Sequence, residues 1–325
     1  MKLEPYLCAS GLSKTIWKLA AVLVGFSLAG CTSLSQIQEP LGKFDQGVHS
    51  VAAAQVTFMN SAHAVECEKQ FYDDASDFID RKGSGINLQK KCDASKVSLT
   101  SAQIQARQSL LDALTLYADK LQAMADGTDD KSLDDKSQTV ATNLNKIAST
   151  HQLSNTDQTV GQDAEAAVMG IASMVLDQRR FSEITSAAKA QQGNIELLVR
   201  TLKQENIAIA YVVDGDVGSI RNTMQLALRE MRDKQGATMF VDLVTARNYL
   251  QTIAPFGSKG LDTSDDSPGN IDPTSAVKQL NDALDGLVSA NQAISTAGKT
   301  SLRATVSDFV EHAQAARAFK TAISK

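Results

Sequence analysis

This sequence predicts an all-α protein, an elongated antiparallel bundle of six or seven helices, several of them long. Three observations predict it. No proline occurs between Leu41 and Ala254, and the stretch is rich in Ala, Gln, Leu and Lys, which favour helices. Apolar residues recur at steps of three, four and seven. No segment alternates apolar and polar residues with period two for long. The 325 residues include 43% hydrophobic but only 5% aromatic side chains, so many alanines permit close helix packing. A formal charge of −5 gives no electrostatic footprint for nucleic acid.

The elements follow in order. Phe44, Val48, Val51, Phe58, Ala62 and Val65 form one helical face. That helix should end before Gly83 and Gly85, leaving a loop over 82–98. Thr100-Ser101-Ala102-Gln103 has the capping-box pattern. Ile104, Leu111, Leu114, Ala118, Leu121 and Ala125 follow on one face, with Gly127 placed as a C-cap. Leu133, Val140, Leu144 and Ile147 make a shorter helix, and a polar loop covers 150–158. Ala164 to Ala190 is apolar over a broad face and reads as one buried helix, with Gln191-Gln192-Gly193 as a turn or kink.

Beyond it, Ile195, Leu198, Leu202, Ile209, Val213, Ile220, Met224, Leu228 and Met231 keep near-heptad steps. A continuous helix over 194–234 would be about 60 Å long, with Gly215 and Gly218 as points of interruption. Asn206 falls on its apolar seam, where a buried amide sets register. The strand-like run Ile207–Val213 lies inside this pattern and reads as buried helix. Residues 237–254 predict a further helix closed by Pro255. The Gly, Ser, Asp and Pro of 256–272 form the clearest loop. The last element begins at Pro273 and Thr274 and shifts phase near Gly298. Residues 43–325 read as one domain, with loops near 82–98 and 255–273.

The first 31 residues do not belong to this pattern. Lys2, Lys14 and Lys18 precede an apolar run of ten, Leu19 to Leu28. Ten residues are too few to span a bilayer core, which needs about 20, but they suit a signal-peptide core. The run leads into Leu28-Ala29-Gly30-Cys31, which resembles the lipobox of bacterial lipoproteins. The resemblance covers this segment alone. It implies that residues 1–30 are removed and that Cys31 becomes the acylated first residue of the mature chain. In that family Asp after the cysteine favours retention in the inner membrane. Thr32 therefore implies the outer membrane, facing the periplasm; the alternatives are the cell surface and the inner membrane. Residues 31–42 read as a short polar tether, reaching no more than about 40 Å. Removal of 1–30 takes three lysines and one glutamate, leaving 29 basic and 36 acidic residues and a charge of −7. An acidic body is not drawn to anionic lipid, so acyl chains on Cys31 must hold it at the membrane.

Of four cysteines, Cys8 leaves with the signal and Cys31 carries lipid. Cys67 and Cys92 remain, in a compartment that permits disulfides. A Cys67–Cys92 bridge would pin the loop after the first helix back onto that helix and contribute roughly 3 kcal/mol; the alternative is two free thiols.

Catalytic constellations are missing from the sequence: it has no H-E-x-x-H, G-x-S-x-G or strand-linked G-x-G-x-x-G. The four histidines are His49, His63, His151 and His312. His49 reads as surface or seam edge. His63 and Glu66, at i and i+3, read as an ordinary helix-surface pair, since two ligands do not make a zinc site. Ala293 to Thr300 (AISTAGKT) looks like a phosphate loop lacking its first glycine and its strand, so it reads as a helix kink. Asp262, Asp265, Asp266 and Asp272 lack calcium-loop spacing, and Asp214-Gly215-Asp216 is similarly weak. Arg179-Arg180 and the Arg229, Arg232, Lys234 group sit near acids at helical spacing and read as surface ion pairs. No cofactor and no metal is expected.

The body carries no family resemblance beyond the lipobox. The expected function is a non-catalytic, lipid-anchored envelope module that binds a partner protein or spaces envelope components. The alternatives are an immunity or inhibitor lipoprotein, a carrier of an apolar ligand within the bundle, and, least favoured, an enzyme.

Overall fold

The computed structural model describes residues 35–80, 92–128, 131–150, 158–174, 181–234, 273–296 and 299–323. Among the described residues there are seven α-helices and no strand. They are α1 (Ser35–Asp80), α2 (Ser101–Asp126), α3 (Lys131–Thr150), α4 (Gln158–Ala172), α5 (Phe181–Lys234), α6 (Pro273–Thr296) and α7 (Lys299–Ile323). A short 3₁₀ turn, Ala94–Lys96, precedes α2. None of these helices is long and apolar enough to cross a membrane. Cys31, the expected helix over 237–254, the loop over 256–272, His151 and Arg179-Arg180 lie outside the described residues.

The helix α1 has 46 residues, about 69 Å at 1.5 Å per residue. Its expected face is the buried one: Phe44, Val48, Val51, Phe58, Ala62 and Val65 are at most 2% exposed. Yet α1 starts at Ser35, inside the segment expected to be a tether to residue 42. Ile37 and Leu41, one turn apart, are buried, and the Gln38 amide donates to the Ala125 carbonyl at the end of α2 (3.0 Å). Pro40 removes one helical hydrogen bond near this end, but the two buried side chains hold the turns in place.

In α2 both local signals hold. The Thr100 hydroxyl accepts from Gln103 N–H, and Gln103 Oε1 accepts from Thr100 N–H. Gly127 closes the helix at φ 65°, a conformation that costs glycine little.

Two expectations for the middle of the chain are corrected. The segment Ala164 to Ala190 is not one helix: α4 ends at Ala172. The buried Lys120 ammonium donates to the carbonyls of Ala172 (2.9 Å) and Met174 (2.8 Å), a cation at a helix C-terminus. Nor is there a turn at Gln191-Gln192-Gly193. The 54 residues of α5 run through it, and through Gly215 and Gly218. Ile184, Ala188, Ile195 and Leu198 keep one buried face across Gly193, and that packing outweighs glycine's low helix propensity.

The expected kink near Gly298 is a reversal. Helices α6 and α7 are separate, and Gly286 of α6 faces Phe309 of α7 at similar distances from their connection, so the two run antiparallel. The AISTAGKT segment is thereby divided between the end of α6 and the start of α7.

The long helices meet around two buried amides. The Asn206 side chain on α5 exchanges hydrogen bonds with Gln55 on α1 and donates to Asn281 Oδ1 on α6 (3.0 Å). Tyr117 Oη donates to Asn291 Oδ1, and Asn291 Nδ2 donates to Gln192 Oε1 (2.6 Å) and the Ala188 carbonyl (3.2 Å). Both asparagines are 0% exposed, so sliding α5 past α1 or α6 would strand polar groups. The seam position expected for Asn206 is the observed one.

Candidate functional site

The site grows from one face of α1. His63, Glu66, Cys67 and Gln70 succeed one another at helical spacing and grip the segment leading into α2. Cys67 is bonded to Cys92, 25 residues on, so the bridge pins that segment onto α1. Gln70 Oε1 accepts from Asp93 N–H (2.8 Å), and Gln70 Nε2 donates to the Asp93 carbonyl (3.1 Å). Asp93 Oδ1 in turn accepts from Ser95 N–H (3.1 Å), starting the 3₁₀ turn. The Glu66 carboxylate accepts from the N–H groups of Ser98 (3.0 Å) and Leu99 (2.9 Å). His63 Nδ1 lies 2.8 Å from the Leu99 carbonyl. A carbonyl only accepts, so Nδ1 carries the proton and Nε2 faces Cys67 Sγ at 3.7 Å.

His63 and Glu66 are therefore not the helix-surface pair the spacing suggested. Glu66 is 6% exposed, and both side chains bond main-chain groups of Ser98 and Leu99. Their partners lie more than 30 residues away, which i, i+3 spacing does not reveal.

Held this way, Ser98 and Leu99 form one edge of a cleft of about 170 Å³ between α1, α2 and α5. Ala62 and Glu66 contribute from α1, and Gln103 and Arg107 from α2. Helix α5 contributes Glu205, Ala208, Ile209, Val212 and Val213. One wall is apolar and the other is a buried ion pair. Arg107 Nε donates to Glu205 Oε2 (3.0 Å), Arg107 Nη2 donates to the same oxygen, and Nη1 donates to the Gln103 carbonyl (3.0 Å). The two side chains are 5% and 7% exposed. Their charges are spent on each other, which leaves the aliphatic wall as the surface a ligand would meet.

The run Ile207–Val213, which supplies that wall from Ala208, Ile209, Val212 and Val213, departs from expectation. It is helical, but not buried all round. Ile209 and Val213 face the core, while Ile207 is 59% and Tyr211 83% exposed. Neither residue lines the cleft: at 3.6 residues per turn Ile207 and Tyr211 point away from the face that carries Ala208, Ile209, Val212 and Val213, so they form a separate exposed surface.

At the far end of the cleft, burial pushes the Asp216 carboxyl up to about 6, with Glu66 and Asp73 adding to the shift. His312 is an exposed residue of α7. The side chains of Arg229, Arg232 and Lys234 lie outside the described residues. Sequence reasoning missed Arg107 and Glu205. The only local sign was charge on otherwise apolar helical faces.

No known protein family, curated protein or solved structure matches the chain.

Proposed function

We propose that this chain is a lipid-anchored, non-catalytic binding protein of the bacterial cell envelope. In this reading Cys31 holds it in the outer membrane, facing the periplasm, and the helical body engages a partner protein. The observation that carries the binding role is the apolar cleft between α1, α2 and α5, with exposed Ala208 on its α5 wall. The anchor rests on the resemblance at Leu28-Ala29-Gly30-Cys31.

Cleft volume bears on the choice between a partner and a carried ligand. Small-molecule sites enclose about 300–1,000 Å³, and this cleft holds about 170 Å³. That is room for one apolar side chain presented by a partner, packed against Ala208, Ile209, Val212 and Val213. Enzyme chemistry is the less favoured reading because Arg107, Glu205 and Glu66 are already committed to fixed partners.

The test places a photocrosslinking residue at position 208, exposed and on the cleft wall, of the full chain in its own cells, with a second at exposed position 189 as control. A discrete protein adduct at 208, absent at 189 and weakened by Cys31→Ala, supports the reading. No adduct at 208, or equal adducts at both positions, overturns it. Fractionation of the Cys31→Ala variant tests the anchor separately: the variant should leave the membrane fraction.

A further inference from the structure

A second cluster lies toward the other end of α1, where α1 meets α2. Asp45 and His49 stand one turn apart on α1, and Asp119 of α2 faces them. His49 Nε2 is 2.8 Å from Asp119 Oδ1 and 3.6 Å from Asp45 Oδ1. We propose that Asp45, His49 and Asp119 form a binding site for a divalent transition cation of the zinc class, with the remaining position open to water or to a group from a partner.

Three observations carry the inference. The first is spacing. Tetrahedral zinc with bonds of about 2.0–2.1 Å sets its ligand atoms about 3.3 Å apart. The two separations from His49 Nε2 bracket that value, so small side-chain movements bring the set onto one ion. The second is an orphan. Asp45 Oδ1 is shielded from solvent and accepts no hydrogen bond, although it belongs to a carboxylate beside a second carboxylate. Its nearest cationic group, the His49 imidazole at 3.6 Å, stands beyond hydrogen-bond reach, and a metal ion between the three groups would give the oxygen a direct partner. The third is outer support. Asp119 divides its oxygens, Oδ1 toward the cluster and Oδ2 toward Lys136 Nζ of α3 at 3.0 Å. That contact orients the carboxylate without occupying the ligating oxygen, as outer partners of metal ligands do.

The donor set selects the ion. One imidazole and two carboxylates suit zinc and its neighbours. Calcium would require six to eight oxygens, more than three side chains supply. Binding must displace the proton from the ligating nitrogen of His49, so zinc uptake releases protons and weakens as pH falls.

The experiment titrates zinc chloride into the full chain in detergent, stripped beforehand with a chelator. Calorimetry reads stoichiometry, and cobalt substitution reads ligand type. One zinc per chain is expected, and the cobalt form should show tetrahedral visible bands without thiolate charge-transfer absorption. Removing only an outer partner of a metal site costs about 10–100-fold in affinity, so His49→Ala and Asp45→Asn should each cost at least tenfold. His49 is exposed and Asp45→Asn preserves shape, and circular dichroism checks that both variants remain folded. Absence of saturable uptake at micromolar zinc overturns the proposal. So does uptake that both variants retain, or a thiolate band assigning the ion to Cys67 and Cys92.

Discussion

Two regions of the bundle show opposite solutions to packing helices. Around Phe309 the helices approach as closely as side chains allow. The Phe309 ring lies 5.7 Å from that of Phe44, and Phe44 meets Tyr117 edge-on at 6.3 Å. A Cβ at Gly47 would fall 2.5 Å from the Phe309 ring, and one at Gly286 would fall 3.3 Å from its backbone. At the cleft, by contrast, α1, α2 and α5 leave about 170 Å³ open beside the Arg107–Glu205 pair. The first region closes because glycines remove the volume a ring requires. In the second, two long charged side chains occupy one wall and leave apolar surface unmatched. Among the described residues, closure leaves no free volume around Phe309, whereas the cleft leaves apolar surface that no side chain of the bundle covers.

The largest expected effect tests the cleft. Arg107→Ala leaves the Glu205 carboxylate buried without its guanidinium and should destabilise the fold by about 3–5 kcal/mol. Joint replacement of Arg107 and Glu205 by Met and Leu should be close to neutral. Urea unfolding midpoints of the three proteins decide the matter. A loss under about 1 kcal/mol for Arg107→Ala would mean that solvent reaches the pair, whose net worth would then be that of a surface bridge.

A smaller effect tests the closed region. Gly47→Ala should destabilise by about 1–3 kcal/mol, because the added methyl meets a ring that cannot move away. Gly193→Ala, with nothing within 4 Å of the added carbon, should stabilise by about 0.5–1 kcal/mol. Opposite signs for the same substitution would sharpen the contrast, and equal signs would break it.

The smallest effect is read with protons, and both regions contribute. Burial, with Asp119 alongside, raises Asp45 to about 6, and Asp216 at the cleft end is also raised to about 6. Between about pH 4 and 6 the folded chain therefore holds more protons than the unfolded chain, and stability falls as pH rises through that window. His49, raised chiefly by its hydrogen bond to Asp119, extends the fall above it. Asp119 acts oppositely: its partners hold it down at about 2, so its contribution is lost only in stronger acid. Urea unfolding from pH 4 to 8 should show the slope. Asp45→Asn and Asp216→Asn should each flatten it, dividing it between the two regions.

Much of this architecture was legible before folding. The buried face of α1, the cap of α2 at Thr100, the C-cap at Gly127 and the seam position of Asn206 are local or periodic signals. The misreadings share one cause. Gln191-Gln192-Gly193 and Pro40 carry breaker residues, yet the chain continues helical through both because buried side chains on either side keep one face in contact. The reverse holds at Ala172, where the composition suits a helix and Lys120 closes its end from another element. Local propensity amounts to about 1 kcal/mol for glycine, so packing decides such cases.

The site was less legible for a related reason. Its members are far apart in the chain: His49 and Asp119 are 70 residues apart, Arg107 and Glu205 98 apart. The all-α character, the order of helices and the expectation that Cys67 pairs with Cys92 come from periodicity, capping and counting, which do not depend on how the helices dock. Which charges are buried together, where α5 leaves Tyr211 in solvent, and which carboxylates share an imidazole follow from helices docking at one register. That register is set jointly by Asn206, Asn291 and the Phe309 layer, and no single stretch of sequence contains all three.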